Sequence, residues 1–402
     1  MAFCIPIINK LNIKNFRIQS LILAPTRELA NQIALEIRKL SRHIHNLKVL
    51  TLCGGTPFKP QVLSLSHGAH IIVATPGRVL KHIEQNNIDL ENINTLVLDE
   101  ADKMLDMGFY DDIMSIINTL PKNRQTLLFS ATYEKNIEKL ASNVLSNPIV
   151  VKVENEEKVH IKQEFYYLDE ENKTSLIPAL ISSNKAKSIL IFCNMKIKCD
   201  KLADDLYALG LDVLTLHSDL EQKQRDETII LFSNKSYSIL IATDVASRGL
   251  HIDDVDLVIN YDLSLDEKIH THRIGRTARA GKGGLAISLY TQNDFDRVEI
   301  IKETFSDIED KSIDSVEDDL SYKIDSDLRT IFINGGKKQK LRAGDILGAL
   351  TAGIGLQKDD IGKIDILDFA SYVAINKEKI SFVLEKLSKE KIKGKYYRIY
   401  EK

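Results

Sequence analysis

Short runs of apolar residues alternate with longer amphipathic segments from the start of the chain to about residue 300. The short runs have the length of buried strands, and apolar residues recur at helical spacing between them, as in 29–40. This alternation is typical of a doubly wound parallel sheet. In the first half of the chain it predicts strands at 20–24, 49–52, 71–74, 95–98 and 126–129.

The spacing of the apolar runs restarts after Pro148. It predicts a second set of buried strands, with helices between them, at 188–193, 213–216, 239–242, 257–259 and 286–289. The sequence therefore predicts an α/β fold with two tandem parallel-sheet domains, 1–152 and 165–302. The connection between them is expected near residues 152–165.

The composition changes at 303–327, where ten Asp or Glu accompany two Lys or Arg. Such a run is typical of a solvated acidic linker. Globular patterning returns at 329–402, which predicts a small α+β domain. Its helices and strands alternate as in RNA-recognition (RRM-like) folds, and Phe369 and Tyr372 meet the aromatic signature of those folds only loosely. The predicted strands are 329–334, 364–375 and 396–400, and the predicted helices are 343–352 and 377–387.

The composition narrows the class of protein. The 402 residues are 44% hydrophobic and 28% charged, as in globular chains, and no apolar run is long enough to span a membrane. Since no export signal is recognisable either, we expect a cytoplasmic protein. The four cysteines form no CxxC pair, which argues against a zinc site and against a disulfide framework.

The formal net charge of −3 argues against a nucleic-acid-binding protein until it is divided along the chain. Residues 303–327 carry −8 and residues 329–402 carry +7, while the rest is nearly neutral. A basic C-terminal domain behind an acidic segment has the charge expected of an RNA-binding domain.

Three carboxylates follow the strand predicted at 95–98, in the segment DEAD at 99–102. Parallel α/β folds bind ligands at the carboxyl ends of their strands, where neighbouring acids suit hydrated Mg²⁺ and a polarised water. A solvated turn is the alternative interpretation. Ser130 and Thr132 follow the next predicted strand, within expected reach of these acids, although Ser and Thr also cap helices routinely.

Arginines recur at every third position in the segment 272–281, as Arg273, Arg276 and Arg279. A helical turn would point the three guanidinium groups in roughly one direction, and glycines beside them leave room for a close approach. Such a group suits a polyphosphate whose charge develops during phosphoryl transfer. A solvated basic helix face is the alternative.

Three further segments of the first domain follow predicted strands: PTREL at 25–29, the glycine pair 54–55, and TPGR at 75–78. Helix N-termini with small residues and an arginine are natural phosphate sites. Each segment alone is better explained by a turn or by capping, with Thr26 as a candidate N-cap. The three together favour binding of a phosphate backbone.

In order and spacing these segments resemble those of the DEAD-box RNA helicases. The matching segments are PTREL, GG, TPGR, DEAD, SAT, QKQR at 222–225, ATDVASRG at 242–249 and HRIGRTARAG at 272–281. The resemblance covers residues 1 to about 300. The tail, with its segments 335–350, 360–364 and 391–395, resembles the RNA-binding domain of the DbpA type.

The resemblance implies two RecA-like domains that close over ATP-Mg²⁺ and single-stranded RNA and pry apart short duplexes. Asp99 would hold Mg²⁺ through water, Glu100 would position or deprotonate the attacking water, and Arg276 and Arg279 would act as arginine fingers. Gly249 would approach the phosphates. The residues implied to couple nucleotide state to closure are Asp102, Ser130, Thr132 and His272. The residues implied to grip the RNA backbone are Thr26, Arg27, Gly55, Thr75, Gly77, Arg78, Arg225 and Thr243.

In the tail, the resemblance implies recognition of a hairpin of large-subunit ribosomal RNA, and hence work on pre-ribosomal particles during ribosome assembly. The basic residues expected to contact RNA there are Lys337, Lys338, Lys340 and Arg342.

Two features depart from the family pattern. The 402 residues contain no GxxxxGK[ST] phosphate loop and no upstream Q motif, and the first residues resemble the helix that follows that loop. Because the loop binds the β and γ phosphates, we expect this polypeptide to be at best a feeble ATPase, with an exposed sheet flank. The second departure is His251, which stands where the family usually has an Asp that contacts the ribose.

Three functions remain open at this point. The first is an ATP-dependent RNA helicase of the DbpA type, and the second is a non-catalytic ribosomal-RNA-binding protein derived from one. The third, a DNA helicase or another P-loop motor, is weakened by the DEAD spelling and by the RNA-binding character of the tail.

Overall fold

The computed structural model describes residues 2–132, 135–152, 161–244, 252, 255–277, 283–305, 307–319 and 321–402. The chain divides into two compact units. Unit 1 comprises Met1–Glu154 with Arg248–His251, and unit 2 comprises Asn155–Ser247 with Ile252–Lys402.

Unit 1 is built on a five-stranded parallel sheet in the order β2-β3-β1-β4-β5. Its strands are β1 (Ser20–Leu23), β2 (Val49–Leu52), β3 (Ile71–Ala74), β4 (Thr95–Leu98) and β5 (Gln125–Leu128). Its helices are α1 (Cys4–Lys10), α2 (Arg27–Leu40), α3 (Phe58–Ser66), α4 (Pro76–Glu84), α5 (Ala101–Asp106), α6 (Tyr110–Asn118) and α7 (Lys135–Val144).

Alternate residues of these strands fill two apolar layers, one on each face of the sheet. Ile22 belongs to the layer that α1 and α2 cover, whereas its neighbours Leu21 and Leu23 belong to the layer that α4–α7 cover. Strands β1, β3 and β4 are buried along their whole length and are almost entirely apolar, which is why their positions were predictable. In the described part of the chain β5 forms an edge of the sheet, and its residues are partly exposed.

Unit 2 contains a seven-stranded parallel sheet in the order β12-β6-β11-β10-β7-β9-β8. Its strands are β6 (Ile161–Tyr167), β7 (Ile189–Phe192), β8 (Val213–Leu216), β9 (Ile239–Ala242), β10 (Leu257–Asn260), β11 (Gly284–Tyr290) and β12 (Ile308–Lys311). Its helices are α8 (Lys173–Ser183), α9 (Lys196–Ala208), α10 (Gln222–Ser233), α11 (Glu267–Ile274) and α12 (Phe295–Thr304).

Two strands of this sheet lie in segments predicted to be linkers, so those predictions are wrong there. Strand β6 buries Gln163 and Glu164, whose partners are His270 Nε2 at 2.8 Å and the Tyr166 hydroxyl at 2.9 Å. A strand with satisfied polar residues lacks the apolar signature of its neighbours. Strand β12 is short and polar, and it pairs with β6 through the backbone.

Several residues in the remainder of the acidic segment also pack on unit 2. The Tyr322 hydroxyl donates to the carbonyl of Ala186 at 2.9 Å, and Ser182 Oγ donates to Asp318 at 2.7 Å. Tyr322 and Ile324 pack against the apolar core of the parallel sheet. The solvated linker predicted for 303–327 is therefore wrong for these residues.

The tail of unit 2 forms a four-stranded antiparallel sheet in the order β14-β15-β13-β16, with two helices on one face. Its strands are β13 (Leu328–Ile333), β14 (Ile361–Ile366), β15 (Ser371–Asn376) and β16 (Ile399–Glu401). Its helices are α13 (Ala343–Gly348), extended by a π-helical turn at Ala349–Gly353, and α14 (Ile380–Leu387). The βαββαβ order is that of RRM-like folds. The predicted fold class is thus confirmed.

The other face of this antiparallel sheet contacts α10. Phe332 and Tyr372 pack on Ile230, and Thr330 Oγ1 lies 2.7 Å from both Asn234 Nδ2 and Ser236 Oγ. Tyr372 is 1% exposed, whereas Phe369, in the loop before β15, is 63% exposed. The two aromatic residues therefore do not form a shared stacking platform on an open sheet face.

Within the described residues, no helix combines the length and the apolar character needed to cross a membrane. The four cysteines are buried, and none forms a disulfide.

Candidate functional site

The acidic segment DEAD lies at the carboxyl end of β4 and begins α5. Asp99 Oδ1 accepts a hydrogen bond from the backbone N–H of Glu100 at 3.1 Å. Glu100 itself has a φ of 49°, in the left-handed region that residues with a side chain rarely adopt. Its Oε1 pairs with Lys103 Nζ at 2.8 Å, while its buried Oε2 has no partner among the described residues.

This arrangement concentrates negative charge that the surrounding residues only partly compensate. Burial, and after it the neighbouring charge of Glu100, raises the pKa of the Asp99 carboxyl to about 6. A nearby cation would offset the free-energy cost of ionising the buried Asp99 carboxyl, so the two acids fit a hard divalent ion such as Mg²⁺. Among the described residues no group of three or more His, Cys, Asp or Glu could hold a metal. Water and phosphate oxygens would therefore complete its shell.

The last acid of the segment, Asp102, connects β4 to the segment after β5. Its Oδ2 accepts the backbone N–H groups of Ala131 and Thr132, both at 3.1 Å, and the Thr132 hydroxyl at 3.3 Å. Ser130 Oγ donates to the Thr132 carbonyl at 2.6 Å. Since β4 and β5 are adjacent parallel strands, the structure brings Asp102, Ser130 and Thr132 together.

Two of the phosphate-binding candidates meet beside β1. Thr26 Oγ1 accepts the N–H of Leu29 at 3.3 Å, which confirms the predicted N-cap. Arg27 Nη1 donates to the carbonyl of Gly54 at 3.2 Å. Gly55 has a φ of +67°, which favours glycine, and a Cβ there would lie 2.1 Å from Arg27 Nη1 and displace the Arg27 side chain.

The third candidate segment joins the same surface, because β2, β3 and β1 are neighbours. Thr75 Oγ1 accepts the N–H of Gly54 at 3.4 Å, and Arg78 Nη1 donates to the carbonyl of Thr56 at 3.1 Å. A Cβ on Gly77 would lie 3.2 Å from Asp112 Oδ2. We call residues 26–27, 54–56 and 75–78 the three-segment surface.

Two residues that lie behind this surface were not predicted from the sequence. Gln61 on α3 is 9% exposed and His82 on α4 is fully buried; the two hydrogen-bond to each other, and Gln61 also bonds to Thr56 and Arg78 of the three-segment surface. Neither belongs to a recognisable motif. The only available signal was a polar residue on the inner face of an amphipathic helix.

The arginine segment of unit 2 differs from the sequence-based expectation. Arg273 is 1% exposed and donates from Nε and Nη2 to the two carboxylate oxygens of Asp244, at 2.6 and 2.7 Å. Its remaining bonds go to Asn194 Oδ1 at 2.6 Å, the Asp262 carbonyl at 2.7 Å and Asn260 Oδ1 at 3.3 Å. The expectation that the three arginines point together is wrong for Arg273, because α11 ends at Ile274 and Arg276 follows in a turn.

The other predicted residues of the parallel sheet of unit 2 are placed as follows. His272 and Arg276 are half-buried, Arg225 lies in the first turn of α10, and Thr243 directly follows β9. The predictions for Gly249, His251 and Arg279 lie outside the described residues.

The basic residues predicted in the tail follow β13. Lys337, Lys338, Lys340 and Arg342 are all exposed. A Cβ on Gly336 would lie 2.3 Å from the carbonyl of Leu367, so this glycine lets the segment fold back against the β14–β15 loop. Lys393 Nζ donates to the carbonyl of Lys340 at 2.7 Å, which places the segment 391–395 beside it.

Comparison with protein families agrees with this division of the chain. Residues 1–140 match the DEAD/DEAH box helicase family, residues 171–281 match the helicase conserved C-terminal domain, and residues 330–401 match the DbpA RNA binding domain. The chain belongs to the DbpA-type DEAD-box RNA helicases. Members of this family hydrolyse ATP and act on RNA, so the family predicted from the motifs is confirmed.

Two bacterial relatives are similar over almost the whole chain. The ATP-dependent RNA helicase DbpA of Escherichia coli is 43% identical over 399 residues, which cover 99% of this chain and 87% of that protein. The ATP-dependent RNA helicase DbpA of Bacillus subtilis is 37% identical over 421 residues, which cover 99% and 88%.

Solved helicase structures share the fold. Saccharomyces cerevisiae Dbp5 bound to RNA and ADP BeF3 superposes with a TM-score of 0.70 at 29% identity, covering 78% of this chain and 82% of that one. Mss116p bound to ssRNA and AMP-PNP superposes with a TM-score of 0.67 at 25% identity, covering 77% and 67%. These likenesses support RNA binding by the RecA-like domains.

Proposed function

We propose that the chain acts in the cytoplasm as an ATP- and Mg²⁺-dependent RNA helicase on large-subunit ribosomal RNA, during the assembly of pre-ribosomal particles. The observation that carries the catalytic part is the junction at Asp102. This carboxylate ties the acids at the end of β4 to Ala131 and Thr132 through three hydrogen bonds, and Ser130 in turn donates to the Thr132 carbonyl. A change at the nucleotide would therefore be transmitted to the segment after β5.

The acids divide the chemistry of ATP hydrolysis between them. Asp99 would hold Mg²⁺ through water, and the ion supplies positive charge to the phosphates when bound. Glu100 has an oxygen without a described partner, which suits it to orient the attacking water and accept its proton. Arg276 and Arg279 are proposed to stabilise the charge that develops on the transferred phosphate, and Gly249 to approach the phosphates.

The RNA backbone is proposed to bind at the three-segment surface of unit 1 and at Arg225 and Thr243 of unit 2. Backbone N–H groups, hydroxyls and arginines at strand ends recognise phosphates and carry little sequence information. Selection of a particular RNA therefore belongs to the tail. Its exposed residues Lys337, Lys338, Lys340 and Arg342 are proposed to contact a ribosomal hairpin.

A charge-matched pair of variants tests the role of the tail. In the full chain, K337Q/K338Q/K340Q removes three of the proposed contacts, while K379Q/K386Q/K389Q removes three exposed lysines on and beside α14. We expect the first variant to lose about tenfold or more in affinity for the ribosomal hairpin, and the control to lose little. Equal losses, or equal binding of duplex DNA and hairpin, would contradict this role.

The second candidate function is a non-catalytic ribosomal-RNA-binding protein, which the exposed basic residues of the tail would also support. Direct titration with ATP-Mg²⁺ separates the two functions. Tight binding by the 402-residue polypeptide would exclude the second.

A further inference from the structure

We propose that Gln61 is a positioning residue that holds Arg78 and the segment 53–56 in the geometry that binds the RNA backbone, with His82 fixing Gln61 from behind. The inference rests on the proposed role of Arg78 in RNA binding. It deepens that role, because it names the residues that keep the arginine in place.

The Gln61 side chain uses its whole hydrogen-bonding capacity. Its Nε2 donates to the Cys53 carbonyl at 3.1 Å and to Thr56 Oγ1 at 2.7 Å. Its Oε1 accepts from Arg78 Nη1 at 3.1 Å and lies 3.0 Å from His82 Nε2. An amide offers two N–H donors and two lone pairs, and all four are engaged here. A carboxylate or an apolar side chain of similar size could not satisfy this set.

His82 is held as a neutral donor. It is fully buried and stacks on Phe58, with ring centroids 4.3 Å apart and an interplanar angle of 15°. Burial, and then the charges of Arg78 and Lys81, lower the pKa of His82 to about 4. Because Gln61 Oε1 can only accept, the neutral ring carries its proton on Nε2. The ring thus fixes which way the Gln61 amide faces.

Arg78 bridges two segments through this amide. Its Nη1 donates to the Thr56 carbonyl and to Gln61 Oε1, each at 3.1 Å, and its guanidinium lies 5.5 Å from the centroid of Phe58. Both oxygen acceptors are neutral, so they orient the guanidinium and leave its positive charge for a phosphate. Without Gln61, one of the two oxygens that orient Nη1 is lost.

The alternative is that Gln61 only stabilises the fold. Gln19 provides the matched control, because it is 3% exposed, lies in the same unit, and donates from Nε2 to Asn12 O at 2.8 Å and Asn15 O at 2.9 Å. It directly precedes β1, at the opposite end of the sheet from the three-segment surface. Q19L therefore removes a similar buried amide away from the proposed RNA site.

The test measures binding of a twelve-nucleotide oligouridylate to the full chain by fluorescence anisotropy over a series of KCl concentrations. We expect Q61L and R78A each to weaken binding about tenfold and to reduce the salt slope by about 0.7, as for one lost phosphate contact. The double variant Q61L/R78A should bind like R78A. Q19L should leave affinity and slope unchanged at a comparable loss of thermal stability.

The possible outcomes distinguish failure of the inference about Gln61 from failure of the proposed role of Arg78 in RNA binding. If R78A weakens binding while Q61L behaves like Q19L, or if the two losses add, the inference is overturned and the role of Arg78 stands. If R78A has no effect, the proposed role of Arg78 fails and the inference fails with it. Q61E retains the volume of Gln61 and places a carboxylate against Arg78. If the inference holds, Q61E should weaken RNA binding at least as much as Q61L. Normal RNA binding by Q61E would overturn the inference.

Discussion

The acids after β4 and the arginine segment of α11 are both charged motifs near strand ends, but they differ in how far neighbouring residues neutralise their charge. Glu100 keeps a buried oxygen without a described partner, and the pKa of Asp99 is raised to about 6. Arg273 instead binds both carboxylate oxygens of Asp244, at 2.6 and 2.7 Å. The first site holds negative charge that Lys103 only partly compensates, whereas the charge of Arg273 is already neutralised by Asp244. Whether a motif residue is available to a substrate is therefore decided by its hydrogen-bond and ion-pair partners in the fold, and not by the spacing of the motif in the sequence.

The largest expected effect is on stability and concerns Arg273. R273M leaves Asp244 without its bidentate partner, so we expect the free energy of unfolding of unit 2 to fall by about 3–5 kcal/mol. R276A, at a half-buried turn position, is the control and should change it by less than about 1 kcal/mol. Denaturant unfolding measures both. Equal effects of the two substitutions would remove the contrast between the arginines.

The second prediction concerns catalysis at Glu100. In the polypeptide extended upstream through a phosphate loop, E100Q should slow RNA-stimulated ATP hydrolysis by about 100-fold or more, because the amide cannot accept a proton from water. Unfolding should be nearly unchanged. Steady-state phosphate release measures the rate, and D106N, just after the acidic cluster, is the control. Wild-type turnover by E100Q would show that this carboxylate is not the base.

Asp99 should make the protein less stable as its charge develops. Its folded pKa of about 6 lies above the ordinary value of 3.8, so the folded state binds the proton more tightly than the unfolded state does. Its contribution is present at low pH and is lost as pH rises through about 6. D99N should therefore raise the unfolding free energy at pH 7 by about 1–3 kcal/mol, and in the polypeptide extended upstream through a phosphate loop it should abolish ATP hydrolysis. A destabilised D99N protein would contradict the raised pKa.

His270 should give the opposite pH dependence and a smaller effect. Burial, and then Arg273, lower the pKa of His270 from 6.5 to about 4, so the unfolded state binds the proton first as pH falls. Wild-type stability should decline between about pH 6.5 and 4. H270Q should lose less stability over this range, by about 1–2 kcal/mol at pH 5, in urea titrations at several pH values. Identical slopes for wild type and H270Q would refute this.

The comparison also shows what the sequence could reveal. Strands β3 and β4 begin and end where predicted, because strands buried on both faces are almost entirely apolar. Strand β6 was missed because two buried polar residues interrupt its apolar pattern: Glu164 pairs with Tyr166 in the same strand, and Gln163 pairs with His270, a partner that only the tertiary structure supplies. Gln61 and His82 were missed because they, too, are buried polar residues whose partners only the tertiary structure supplies.

The order of the motifs identified the family. It also predicted that Asp102 lies near Ser130 and Thr132, because the carboxyl ends of adjacent parallel strands meet at one edge of the sheet. Spacing alone could not show that Arg273 is paired with Asp244, because the partner is 29 residues away in the chain. Long-range polar partners are the part of the site that sequence patterns leave undetermined.

The most direct test measures ATP turnover with and without a large-subunit ribosomal RNA hairpin, for the 402-residue polypeptide and for a version extended upstream through a phosphate loop. We expect strong RNA-stimulated turnover by the extended protein, loss of that turnover in its E100Q variant, and little turnover by the 402-residue polypeptide. Comparable turnover by the two polypeptides, or no stimulation of the extended protein by the hairpin, would contradict the proposed function.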